Sequence, residues 1–515
     1  MSKLLSLVSV LLAVSLLAAP WAVAEVTLPA VITDHMVLQR NVRVPIWGKA
    51  DPGEKVTVTL GQQTARATAD ADGRWMVKLR RLEAGGPLSM TVAGSNTITV
   101  SDILVGDVWV CSGQSNMAFT TGRSTNAEQD VAEARHPQVR LFKVKNVVGE
   151  EPLQDTEGAW EACTPETVAG FSAVGYFFGR DIHKELGVPI GLIGTYWGGT
   201  PAEAWTSRAT LEANPDLHVI LERWEQVLAN YPKAMEQYQQ RVAQWEEAAK
   251  KARAEGKPVP RKPQPPQGPG SPHAPGGLFN GMIAPLIPYA ITGAIWYQGE
   301  SNAGRAYQYR KIFPAMIRDW RRNWGQGDFP FLWVQLPNFM AYKAEPGDSA
   351  WAELREAQLM TLSLPNTAMA VTIELGEAGD IHPRNKAPVG HRLALAALGT
   401  VYGYGIVYSG PVYKSMRTEG RNLRLYFKHV AGGLVAKGGP PLKGFAVAGT
   451  DRKFYVATAE IEGNAVVASS PAVRHPVAVR YAWADNPMCN LYNAAGLPAS
   501  PFRTDDWPGI TRGKR

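Results

Sequence analysis

An α/β fold is predicted, with a doubly wound, mostly parallel sheet at its centre and β-sandwich-like regions before and after it. Three observations predict it. Residues 105–111, 190–195, 294–297, 331–336 and 368–373 are short apolar runs with the continuous hydrophobicity of strands buried on both faces. Between them lie helix-forming stretches such as 172–186 and 307–324, the alternation that produces parallel strands covered by helices on both sides. Outside this span the runs alternate apolar with polar residues and are broken by turn formers, as in antiparallel sheets.

The chain opens on Met1-Ser2-Lys3, an apolar run over 4–19, and Ala22-Val23-Ala24 before Glu25. This is the pattern of a secretory signal peptide over 1–24, and the run is short for a spanning helix. The mature protein is therefore expected in the periplasm or outside the cell, with no membrane attachment after cleavage. Over 25–101 the strand-like runs 42–48, 56–60, 74–79 and 97–100, with Asp72-Gly73 as a tight hairpin turn, predict an Ig-like antiparallel β-sandwich.

The α/β domain is expected over 102–402, interrupted by an insertion at 208–277. Residues 211–255 are rich in Glu, Gln, Lys, Arg and Ala and predict long charged helices; 256–277 form a Pro/Gly-rich connector. Either an exposed excursion or a lid over the site fits that composition. From 403 to 515 short strands return at 423–427, 444–448, 454–456, 465–467 and 477–481, predicting a C-terminal β-rich region.

A chain of 515 residues, 45% hydrophobic and 19% charged, can bury a large core and divide into several domains. Its formal charge of +7 is mild for this length, and Lys and Arg are dispersed, which argues against a nucleic-acid partner. Three cysteines, Cys111, Cys163 and Cys489, exclude a dense disulfide framework, and Cys111 after Val-Trp-Val reads as a packing residue. No His-Glu-x-x-His or paired Cys/His spacing occurs, so neither a metal nor a cofactor is expected.

Chemistry concentrates where polar motifs follow the apolar runs, the edge of an open α/β sheet at which ligands bind. Gly113-Gln114-Ser115-Asn116-Met117 presents Ser115 at a strand end, before a predicted helix. It lacks the second glycine of the Gly-x-Ser-x-Gly elbow. A serine hydroxyl becomes nucleophilic only beside a base. Of nine histidines, His382 in Asp380-Ile381-His382-Pro383 has the distinctive context: in extended backbone Asp380 and His382 project to one side, so the carboxylate could orient the ring. His391 falls inside an apparent helix and reads as surface or core. Donors for a developing oxyanion could come from Tyr196-Trp197-Gly198-Gly199-Thr200, whose glycines permit close approach of a backbone amide, and from the Gln298 side chain in Tyr297-Gln298-Gly299-Glu300-Ser301-Asn302.

Together these four blocks resemble the signature segments of sialate O-acetylesterases, a branch of the SGNH (GDSL-like) hydrolases. The resemblance spans nearly the whole mature chain. It implies an SGNH-like central domain, Ser115 as nucleophile with its amide in the oxyanion hole, Gly199 as second donor with Gly198 its neighbour, Gln298 where the superfamily usually has asparagine, and His382 as general base. Two departures stand out. The superfamily often spaces acid and histidine as Asp-x-x-His, which would put the acid at Gly379, and some relatives use a Ser-His dyad, so Asp380 is either the third member or a neighbour. Gln114, Asn116, Trp197, Glu300, Asn302 and Arg384 are expected to bind substrate or support these groups, Glu300 by holding its block together or by orienting the histidine.

The expected activity is removal of O-acetyl groups from a carbohydrate through an acetyl-serine intermediate, with acetylated sialic acid as the substrate the resemblance implies. An acetylesterase acting on xylan, xyloglucan or another plant polysaccharide uses the same chemistry. A noncatalytic glycan-binding protein on the same scaffold is the alternative from another class, and the intact Ser115, Gln298 and His382 speak against it.

Overall fold

One strand, β1 (Thr97–Gly113), organises the protein, seen in a computed structural model that describes residues 25–514. The signal peptide expected over 1–24 lies outside the described residues. The first part of β1 alternates in exposure and pairs antiparallel with Gly85–Ala93; its second part is buried and pairs in parallel with three other strands, the short Val37–Gln39 among them. The change of texture at Asp102 thus falls inside a continuous strand, where hydrophobicity passes from alternating to unbroken.

Ahead of β1, Lys55–Leu60, Gln63–Thr68 and Gly85–Ala93 form an antiparallel sheet, and Val44–Lys49 pairs with Arg74–Leu79 in a second one. The tight hairpin is at Gly61-Gln62, joining Leu60 to its partner Gln63. Asp72-Gly73, expected as a hairpin turn, instead closes a loop in which the Asp70 amide donates to the Arg74 carbonyl, passing the chain from one sheet to the other. The strand Gln63–Thr68 was hidden because half of it is exposed and its residues are small or polar.

The central sheet continues with β2 (His136–Lys143), β3 (Trp160–Cys163), β4 (Ile190–Tyr196), β5 (Gly293–Tyr297), β6 (Phe331–Gln335) and β7 (Thr367–Val371). Their order is β7-β6-β5-β1-β4-β2-β3, parallel except for β2 with β3. The chain winds first to one side of β1 and then to the other, so β1 lies at the switch point where such sheets open a crevice. Helices cover both faces. Trp109 packs edge-on against Phe178 of the helix Ala173–Leu186, while Trp296, on the other face, contacts Phe313 and Trp320 of the helix Ala306–Trp324.

Within the insertion, the long charged helices expected over 211–255 are realised mainly as one 37-residue helix, His218–Ala254, which runs through Pro232. Only Ile220, Ala249 and Ala252 of it are fully buried, in keeping with its polar composition. C-terminal to the α/β region, two four-stranded sheets enclose a separate cluster that includes Leu423, Leu425, Val447, Val466 and Val479. All three cysteines are free thiols, and burial raises the pKa of each, which suits packing and not nucleophilic chemistry. Among the described residues no helix is long and apolar enough to cross a membrane.

Candidate active site

Strand register sets the site. Gly113 at the end of β1 is directly paired with Tyr196 at the end of β4 and with Tyr297 at the end of β5. Three of the motif segments therefore leave the sheet at the same level. Gly113 adopts φ +137°, and a Cβ there would stand 2.2 Å from the Tyr297 carbonyl oxygen, so only glycine lets β1 and β5 finish this close together. The helix expected after the serine is a single turn, Ser115–Ala118, with Gln114 at its N-cap. The fourth segment descends from β7 and brings His382 over the same edge.

His382 Nε2 lies 2.9 Å from Ser115 Oγ. With Nε2 accepting from the hydroxyl, the ring proton sits on Nδ1, which faces Asp380 Oδ1 at 3.6 Å. That separation is an electrostatic contact and not a hydrogen bond. Asp380 Oδ1 is occupied by the backbone amide of His382, at 2.8 Å. Burial pulls the His382 pKa below its ordinary value; Asp380 opposes that shift, and Lys386 and Arg123 add to it. A ring kept neutral is ready to accept a proton.

Gly198 lies against the serine: a Cβ at Gly198 would meet Ser115 Cβ at 3.4 Å. Gly199 adopts φ +77°, and nothing stands within 4 Å of its Cβ direction, so this loop is open on its outer side. Trp197 fixes the loop by donating its amide to the Gly113 carbonyl and accepting the Thr200 hydroxyl at its own carbonyl.

Gln298 departs from expectation. It is completely buried, and its amide nitrogen donates to the Thr200 carbonyl (3.2 Å) and to Asn302 Oδ1 (2.7 Å), while its oxygen accepts from the Tyr309 hydroxyl. Both amide protons are committed within the protein, so Gln298 is corrected from an oxyanion donor to a brace beneath the glycine loop. Asn302 is likewise internal, donating to Glu203 Oε2 and accepting from the Ala202 amide.

Asn116 joins three segments. Its Nδ2 donates to Glu300 Oε1 (2.6 Å) and to the Ile381 carbonyl (3.0 Å), and its Oδ1 accepts from Lys386 Nζ (2.6 Å). Glu300 thus holds the blocks together through Asn116 and makes no contact with the histidine; its pKa is raised by burial, and its Oε2 is buried without a hydrogen-bond partner. Gln114 Oε1 accepts the Ser301 amide, and Arg384 donates to the Arg123 carbonyl, so both act as ties within the site walls. His391 pairs with Asp181 at an exposed position, outside this arrangement.

Lys386 was not foreseen. Its side chain is buried over the rings of Phe119 and Tyr297, and burial lowers its pKa to about 7 despite the nearby Glu300. A lone lysine after Arg384-Asn385 reads as surface in sequence; only the packing of its helix start places it inside.

The family described as carbohydrate esterase, sialic acid-specific acetylesterase matches residues 105–256 and 279–399. The chain belongs to this family. Sialate O-acetylesterase from Mus musculus is 33% identical over 92% of this chain and 93% of its own length. The Homo sapiens counterpart is 32% identical, with 93% of each chain covered. A crystal structure of a carbohydrate acetylesterase from Xanthomonas citri is 40% identical and superposes with a TM-score of 0.80, over 94% of this chain and 100% of that one. As a family member the protein is a carbohydrate esterase, a carboxylic ester hydrolase, and the matched region contains all four motif segments.

Proposed function

We propose that the protein removes O-acetyl groups from a sugar by acyl transfer through Ser115. The observation that carries this reading is the 2.9 Å contact between Ser115 Oγ and His382 Nε2 beside an open glycine loop. His382 takes the hydroxyl proton as Ser115 attacks the acetyl carbonyl. The oxyanion is held by the backbone amides of Ser115 and Gly199, with no donation from Gln298. Collapse breaks the ester bond, the proton on His382 passes to the sugar oxygen, and acetyl-serine remains. Water then repeats the sequence: His382 takes its proton, acetate departs, and Ser115 regains its hydrogen.

Acetylated sialic acid is the substrate this reading favours, since the family and the mammalian relatives are described by it. A second reading keeps the mechanism and makes the substrate an acetylated plant polysaccharide; it draws on the Xanthomonas citri protein, described as a carbohydrate acetylesterase without restriction to sialate. Acetate release from O-acetylated sialic acid and from acetylated xylan, measured side by side, tests the choice. Release from xylan alone would remove sialate as the substrate. The leader-like sequence over 1–24 supports export, which cleavage mapped by N-terminal sequencing of the secreted protein would check.

A further inference from the structure

Beside the glycine loop lies a cavity of about 390 Å³ whose walls come from two sources. The central domain supplies Gly199, Glu203 and Arg305; the insertion supplies Arg223, Trp224 and His273. Ile220, Arg223, Trp224 and Val227 recur at the spacing of one helix face, and that face is turned to the cavity. The insertion helix is tied there. Glu203 Oε1 accepts from Arg223 (2.7 Å) and from Arg305 (2.9 Å), and Glu203 is itself buried. His273, from the Pro-rich connector, lines the same cavity as Gly199 of the loop that borders Ser115.

Two features of this cavity are unexplained by packing. Trp224 is half-buried in its wall and stacks on no other aromatic ring among the described residues. Arg223 Nη1 and Arg305 Nε are buried donors with no hydrogen-bond partner, although Glu203 satisfies one nitrogen of each guanidinium. A flat apolar surface in a wall shared with two arginines suits a pyranose ring: its C–H face packs on an aromatic, and its oxygens accept from guanidinium groups.

We propose that this cavity is the subsite for the sugar ring that carries the scissile acetyl group, with Trp224 as its stacking platform. The proposal rests on Ser115 acting as the acyl acceptor, and it makes the insertion a permanent wall of the binding site. The ring is an acetylated pyranose, neutral or acidic, and the two probes below distinguish these.

The test compares kcat/KM on O-acetylated xylo-oligosaccharide and on O-acetylated sialic acid, each divided by kcat/KM on 4-nitrophenyl acetate. Trp224→Leu keeps apolar bulk and removes the flat ring; it should lower the ratio about tenfold for the sugar that the unaltered protein cleaves better, whereas Trp224→Phe should hold it within about threefold. Equal ratios in all three proteins overturn the subsite. The underlying reading fails separately: Ser115→Ala that still hydrolyses 4-nitrophenyl acetate removes the nucleophile, while an inactive Ser115→Ala with an unmoved Trp224→Leu ratio removes only the subsite.

Discussion

Ser115 Oγ and His382 Nε2 stand 2.9 Å apart although 267 positions separate them in the chain. No local preference places them together; the paired ends of β1, β4 and β5 and the loop after β7 do. If they share one proton transfer, removing either should abolish the same step. Ser115→Ala and His382→Ala are each expected to lower hydrolysis of a small acetate ester by about 10⁴-fold or more, with far-ultraviolet circular dichroism unchanged. A variant of either residue that retains ordinary turnover would dismiss it from the mechanism.

The pH dependence of that step has a definite sign. The base acts in its neutral form, and burial holds His382 below 6.5, so the rising limb of kcat/KM should have its midpoint below that value. Asp380 pushes the pKa upward, so Asp380→Asn should move the midpoint to still lower pH. Because the carboxylate is half-exposed and 3.6 Å from Nδ1, the accompanying loss of turnover should be about tenfold or less. A loss of roughly 10⁴-fold would instead mark Asp380 as an essential third member.

Gln298 offers a sharper discrimination between two roles. As a brace it serves the Thr200 carbonyl, Asn302 and the Tyr309 hydroxyl. Gln298→Ala strands these buried groups and should cost roughly 2–3 kcal/mol, read as a lower urea midpoint. An oxyanion donor would behave otherwise, with turnover falling about 10²-fold to 10³-fold and stability unmoved. Unchanged stability together with that fall in turnover would therefore restore the donor role.

Much of the architecture was legible because buried parallel strands are continuously apolar. The runs beginning at 105, 190, 294, 331 and 368 all became strands, and the polar segments that follow four of them, all but the run at 331, meet at one edge of the sheet. The strand Gln63–Thr68 was missed because small and polar residues on a half-exposed strand carry no hydrophobic period. The meeting of Ser115 with His382 was legible because it rests on residue type and motif context. Site chemistry was not legible where burial and competition for protons decide the role. Gln298 and Lys386 are such cases: one loses its free donors to neighbours, and the other acquires its character only when its helix packs over Phe119 and Tyr297.

Lys386 makes a prediction about stability and not only about rate. Its pKa falls from 10.5 in an exposed lysine to about 7 in the fold, chiefly through burial. Between those values the unfolded chain holds a proton that the folded protein does not, so stability attributable to this group rises with pH. Below the folded value both states are charged, and the full cost of burying the ammonium persists. Lys386→Met removes the titration, while leaving Asn116 Oδ1 without its donor and Glu300 without a nearby cation. Relative to this variant, the unaltered protein should gain on the order of 2 kcal/mol in unfolding free energy between about pH 7 and about pH 9. Urea denaturation of both proteins at the two pH values measures the difference. A gap that stays constant would show that Lys386 keeps its proton in the fold, held by Asn116 and Glu300 strongly enough to offset its burial.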